Sequence, residues 1–121
     1  MSTPDDLRRL ALASPEAYED IHRGKPTFRV AKRIFAMLGQ AGGQGFMGLD
    51  DPGRAVLKLD REDLLNMLAA YPDAVAADAD YPHHGWTYLR LAGLDEAALA
   101  ALVRLAWAHV APRRLVKASV A

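Results

Sequence analysis

Residues 22–38 constrain the fold more than any other stretch of the chain. Phe28 and Val30 alternate with Thr27 and Arg29, the period of two that a half-buried strand requires. Ile34 to Leu38 is nearly all apolar, as expected of a strand covered on both faces or lying inside a sheet. Ala31, Lys32 and Arg33 separate the two runs, so the segment reads as a β-hairpin. Five of the fifteen lysines and arginines lie in it, Arg23, Lys25, Arg29, Lys32 and Arg33, and it holds no carboxylate. The hairpin therefore carries a cationic face and a cationic tip.

The flanking segments supply the other layer. Thr3 is placed to cap a helix, Pro4 suits its first position, and Asp5 and Asp6 favour its positive end. Leu7, Leu10 and Ala11 form its inner stripe, and Ser14-Pro15 ends it. Glu16 to Ile21 reads as an acidic connector. Gly39 to Gly53 is a loop with six glycines, but no Gly-Lys-Ser/Thr closes it and a strand follows, so it is not a phosphate loop. Phe46, Met47 and Leu49 in this loop are candidates to dock on the body. Ala55 to Leu59 is a third strand, with Lys58 pointing outward.

Asp60 caps a second helix with an apolar stripe of Leu64, Leu65, Leu68 and Tyr71. Ala74 to Asp80 reads as extended, though its alanines and aspartates are poor strand formers. Trp86 to Leu91 is a clear strand, with Trp86, Tyr88 and Arg90 on one face. Aromatic burial dominates small cores, so Trp86 and Tyr88 are expected to pack under a helix; the competing reading is a base-stacking platform for single strands. Asp95 caps the last helix, whose Leu99, Leu102, Val103, Ala106, Trp107 and Val110 face the core. Arg113 and Arg114 follow Ala111-Pro112 at its negative end. The expected architecture is α+β: a two-layer domain over residues 1–121, an antiparallel sheet of about five strands with helices packed on it, in the order α-β-β-β-α-β-β-α.

Charge limits the function classes. The net charge is zero, which argues against binding nucleic acid by bulk charge. Local asymmetry survives: residues 22–38 and 104–121 carry cations alone, while 50–80 holds eight carboxylates against Arg54, Lys58 and Arg61. The absence of cysteine excludes disulfides, thiolate zinc sites and a thiol nucleophile. No signal-like core and no membrane-length apolar run is present, so a cytoplasmic protein without a membrane partner is expected. His83 and His84, with His22, Asp78 and Asp80, match no zinc spacing, and adjacent histidines on an extended chain point apart. His109 reads as a helix-end cation. Ser2, Ser14 and Ser119 have no identifiable base, so no catalytic residue, metal site or cofactor is expected.

Several stretches together resemble the MmcQ/YjbR family of small bacterial proteins. They are Gly24-Lys25-Pro26-Thr27-Phe28-Arg29-Val30, Lys32-Arg33-Ile34-Phe35-Ala36, Val56-Leu57-Lys58-Leu59, Gly85-Trp86-Thr87-Tyr88-Leu89-Arg90-Leu91, and Leu105-Ala106-Trp107 through Val110-Ala111-Pro112-Arg113-Arg114-Leu115. The match runs in order over nearly the whole chain. The resemblance implies a fold related to that of type III secretion chaperones and a DNA-binding protein with a double-wing motif, not an enzyme. Relatives often place glycine or asparagine in the hairpin turn. This chain has Ala31-Lys32, and alanine resists the positive φ of the favoured two-residue turn, so a longer turn or another type is expected.

On that reading the nucleic-acid contacts come from Arg23, Lys25, Arg29, Lys32 and Arg33, with Lys58 and Arg90 on neighbouring strands and Arg113, Arg114 and Lys117 in the tail. About five phosphate contacts give a salt slope near −4.5. The alternatives are a protein-binding or chaperone-like module, whose partner is a peptide or a second copy of the chain, and a small-molecule sensor with a pocket between sheet and helices. DNA binding requires the basic segments to converge away from the acidic ones.

Overall fold

The computed structural model describes residues 1–22, 24–39, 51–77 and 85–119. Among these, the elements run α1 (Pro4–Leu12), β1 (Tyr18–His22), β2 (Lys25–Val30), β3 (Arg33–Leu38), β4 (Arg54–Lys58), α2 (Arg61–Ala70), β5 (Val75–Ala77), β6 (Trp86–Arg90), α3 (Glu96–Val110) and α4 (Arg113–Ser119). A 3₁₀ turn, Leu91–Gly93, joins β6 to α3. The six strands form one antiparallel sheet in the order β1-β2-β3-β4-β6-β5. This is the expected α+β architecture, with one strand and one short helix more than the sequence pattern displayed.

The additional strand is β1, where the sequence suggested a connector. Its Tyr18 to Ile21 are all exposed, so it has no apolar alternation to betray it. Pairing with β2, from Tyr18 opposite Arg29 to His22 opposite Lys25, makes it the sheet's edge. Charged, exposed side chains are what an edge strand tolerates. The additional helix is α4, which holds the basic tail and buries Leu115.

Helix ends follow the local chemistry. Thr3 and Asp6 form a reciprocal capping box at α1, with Thr3 N–H donating to Asp6 at 2.9 Å. Asp60 accepts from the Asp63 N–H at 2.8 Å, and Asp95 from the Ala98 N–H at 2.7 Å. In α3 the expected stripe is buried from Leu99 to Val110. Trp107 is 1 % exposed, and its indole N–H donates to the Pro15 carbonyl at 3.0 Å, tying α3 to the chain leading into β1. In α2 the stripe is narrower than expected: Leu64 is buried, but Leu65 is 51 % exposed.

The hairpin closes by the tight turn that Ala31 was expected to refuse. Val30 pairs with Arg33, leaving a two-residue loop. Ala31 and Lys32 both take positive φ, 50° and 68°. The strand pairing on either side imposes the turn, and two L-residues absorb a left-handed conformation that costs about 1–2 kcal/mol each. A register shift between Phe28 and Arg29 marks a bulge beside this turn, which adds local twist.

The sheet's two faces differ. Phe28, Val30, Leu38, Ala55, Leu57 and Leu89 join side chains of all four helices in the main core. On the other face Met37 and Val56 are buried as a separate pair, with Ile34, Trp86 and Tyr88 packed around them. Trp86 and Tyr88 were expected under a helix. Strand parity puts them on the opposite face, because Thr87 and Leu89 occupy the helix side.

Candidate nucleic-acid interface

The turn at Ala31-Lys32 leaves Lys32 and Arg33 exposed at the end of the β2–β3 hairpin. Ala36 pairs with Leu57 and Leu57 with Thr87, so the last residue of β4, Lys58, lies at this same end, opposite Trp86. The Lys58 ammonium sits 5.0 Å from the centre of the Trp86 ring, a cation–π contact. Burial lowers the pKa of Lys58, and the Arg33 charge lowers it further. Among the described residues, no carboxylate is one of the groups acting on Lys58. The result is a cationic end of the sheet: Lys32 and Arg33 exposed at the hairpin tip, and Lys58 over one aromatic ring and within reach of the Arg33 charge.

The remaining sequence candidates are placed differently. Lys25 is fully buried at the start of β2. An enclosed ammonium is not presented to a phosphate backbone, which removes it from the exposed cationic face. Arg29 is half-buried and committed within the hairpin: its Nε lies 3.3 Å from Asp20 and its Nη1 donates to the Lys32 carbonyl at 3.0 Å. The missed strand β1 is the cause, since it lays Asp20 beside the basic hairpin. Glu19 points to the helix side instead and takes the Arg8 Nε–H at 2.9 Å. Arg90 lies at the far end of β6 and donates to the Asp73 carbonyl at 3.3 Å.

Arg113, Arg114 and Lys117 belong to α4, in the helix layer, where Leu115 enters the main core. Arg114 pairs with Glu16 at 3.4 Å. The sheet lies between this layer and the face that carries Lys58, so the tail does not extend the Lys58 patch across that face. The acidic caps Asp60, Glu62 and Asp63 also sit with α2 in the helix layer. Arg23, the docking candidates Phe46, Met47 and Leu49, and the metal candidates Asp78, Asp80, His83 and His84 fall outside the described residues. Sequence reasoning passed over Arg54, which the register sets directly opposite Arg90. Nothing local marks it, because cross-strand register is not readable from one strand.

These elements define a two-layer α+β protein with an antiparallel sheet and one helix-covered face. The chain belongs to the YjbR family, whose model matches residues 12–109. It is similar in structure to the Deinococcus radiodurans protein DR2400, of the domain family DUF419, with a TM-score of 0.70 and 24 % identity over 98 % of this chain and 85 % of that one. That likeness is one of fold. No curated protein sequence matches the chain. Among the described residues no helix is long and apolar enough to cross a membrane.

Proposed function

We propose that this chain is a non-catalytic nucleic-acid-binding protein that grips the phosphate backbone with Lys32, Arg33 and Lys58 at the hairpin tip. The observation that carries this reading is the pair Arg33 and Lys58: two cations close enough for one to lower the other's pKa, with an aromatic ring beside them. Holding like charges together has an electrostatic cost, and a polyanion relieves it. Three contacts give a salt slope near −2.7, about three-fifths of a five-contact footprint's, so binding is weak and confined to low salt. Trp86 adds a surface on which an unpaired base can stack, favouring single strands over duplex.

The test is fluorescence anisotropy of a labelled duplex of about 20 base pairs and the matching single strand, titrated between roughly 20 and 200 mM salt. Binding that steepens at low salt and is lost when Lys32, Arg33 and Lys58 are changed together to glutamine supports the reading. Equal binding by that variant, or none at the lowest salt, refutes it. A variant with Arg113 and Lys117 changed to glutamine separates the tip from the helix layer.

A second reading, a protein-binding module, draws on β1. It is an edge strand with Tyr18 41 % and Ile21 62 % exposed, and an edge of this kind accepts a further strand from a peptide or a second copy. Concentration-dependent sedimentation, compared with an Ile21→Lys variant, tests it.

A further inference from the structure

At the end of the sheet away from the hairpin tip, the β4–β6 register sets Arg54 directly opposite Arg90. Four residues along β4 separate this pair from Lys58, a distance of about 13 Å at 3.3 Å per residue. Like charges directly opposite on neighbouring strands repel. Both arginines line one recess of about 250 Å³, together with Asp73, Ala74, Ala76 and Tyr88.

The surroundings orient these arginines more than they neutralise them. Arg90 is steered by its Nε–H bond to the Asp73 carbonyl at 3.3 Å, and a carbonyl carries no net charge. Gly93 lies against it: a Cβ at that position would come within 3.0 Å of Arg90 Nη2 and 2.9 Å of Ala74 Cβ. Arg54 has Asp51 at 4.0 Å. The other oxygen of that carboxylate accepts the Gly53 N–H at 2.8 Å, which shapes the entry to β4. Asp73 also lines the recess, but among the described residues the one ion pair that either arginine makes is Arg54 with Asp51, at the limit of such a contact.

We infer that this recess binds a phosphate dianion, either free or at the end of a compact molecule. Guanidinium forks match phosphate oxygens in bidentate fashion. A phosphate monoester carries about −1.5 to −2 charge near pH 7, against about −1 for a carboxylate, so it answers two arginines more completely. Small side chains at Ala74 and Ala76 leave room for the phosphate oxygens, and Tyr88 offers a ring wall to the rest of the molecule. The volume is below that of a drug-sized pocket, which selects a ligand of sugar-phosphate size. This site is separate from the hairpin tip, and either can fail without the other.

Amide shift titrations with inorganic phosphate, ribose 5-phosphate and ribose test the inference. The expected result is saturable shifts at Ala76, Tyr88, Leu89 and Arg90 with the phosphates and none with ribose. Arg54→Gln and Arg90→Gln each weaken binding about tenfold, the loss of one charged hydrogen-bonding partner. Arg90→Lys retains part of it, and the Lys32→Gln, Arg33→Gln double variant leaves it unchanged. Tighter binding of ribose 5-phosphate than of inorganic phosphate assigns the site to a phosphorylated small molecule; equal binding assigns it to the free ion. Unsaturable shifts, shifts reproduced by chloride at equal ionic strength, or undiminished binding by folded Arg54→Gln and Arg90→Gln proteins overturn it. Melting curves and the spectra away from the recess establish that the variants are folded.

Discussion

The two faces of the sheet are built from the same strands and obey different rules. On the helix side, Phe28, Leu57 and Leu89 meet α3 residues such as Leu99 and Trp107 in one continuous core. On the other side, two buried apolar side chains, Met37 and Val56, lie beside the buried Thr27 and among residues that keep a polar end: Lys58, Arg54, Arg90, Trp86 and Tyr88. The helix face is fixed by volume, and a change of one methylene is felt there. The opposite face is fixed by charge and register, and among the described residues its cations Lys58, Arg54 and Arg90 make few ion pairs. A fold that buries one face thoroughly is free to leave charge unbalanced on the other.

The largest effect that tests this contrast is on stability. Leu57→Ala removes a fully buried side chain from the main core and is expected to cost about 4–5 kcal/mol, near the top of the range for such changes. Met37→Ala, on the neighbouring strand but the opposite face, is expected nearer 2 kcal/mol, because a small satellite cluster collapses more readily. Urea unfolding of both variants decides it, and equal losses would break the distinction between the faces.

The next effect concerns binding. Changing Lys32 and Arg33 to glutamine is expected to flatten the salt slope by about 1.8, at 0.9 per phosphate contact. An unchanged slope would place the phosphates elsewhere. In the protein alone, Arg33→Gln is expected to move the Lys58 pKa upward without fully restoring it, since burial is the larger cause. NMR titration of the Lys58 ammonium reads this directly.

Relief of turn strain comes third. Ala31→Gly is expected to stabilise the protein by up to about 1 kcal/mol, because glycine takes the positive φ without a Cβ clash although it loses more chain entropy on folding. A destabilised variant would mean that the methyl group contributes packing that outweighs the strain.

The smallest effects are two pH dependences of opposite sign. The Thr3 backbone N–H, first among the causes, holds the Asp6 pKa below its ordinary value. Its stabilisation is present above the unfolded pKa and is lost as pH falls through the lower folded value. Burial, then the Asp60 charge, raises the Asp63 pKa. Its contribution is most favourable below the unfolded pKa and is lost as pH rises through the folded value, leaving a penalty at neutral pH. Asp6→Asn is therefore expected to destabilise at pH 7 and Asp63→Asn to stabilise, with both differences narrowing in acid. Melting temperatures between pH 3 and 7 test the signs.

Much of the fold was legible in particular residues. The Thr3, Asp60 and Asp95 caps, the α3 stripe and the alternation of Thr87 with Tyr88 and Leu89 each encode an element through neighbours a few positions away. β1 was hidden because an edge strand needs backbone pairing and no apolar face, so Tyr18 to Ile21 read as a polar connector. Of the candidate site, Lys32, Arg33 and Lys58 were legible as cations on or beside strands. The burial of Lys25, the capture of Arg29 by Asp20 and the opposition of Arg54 and Arg90 were not.

The sequence by itself determined most of the helices and strands, though not β1 or α4, together with where helices start and which side chains suit a core, because those depend on local periodicity and capping. The tertiary structure alone decided which face each strand turns toward the helices, which charges meet, and that Ala31 and Lys32 accept a left-handed turn. Those outcomes depend on register between segments far apart in the chain, where pairing across the whole sheet outweighs the preference of any one residue.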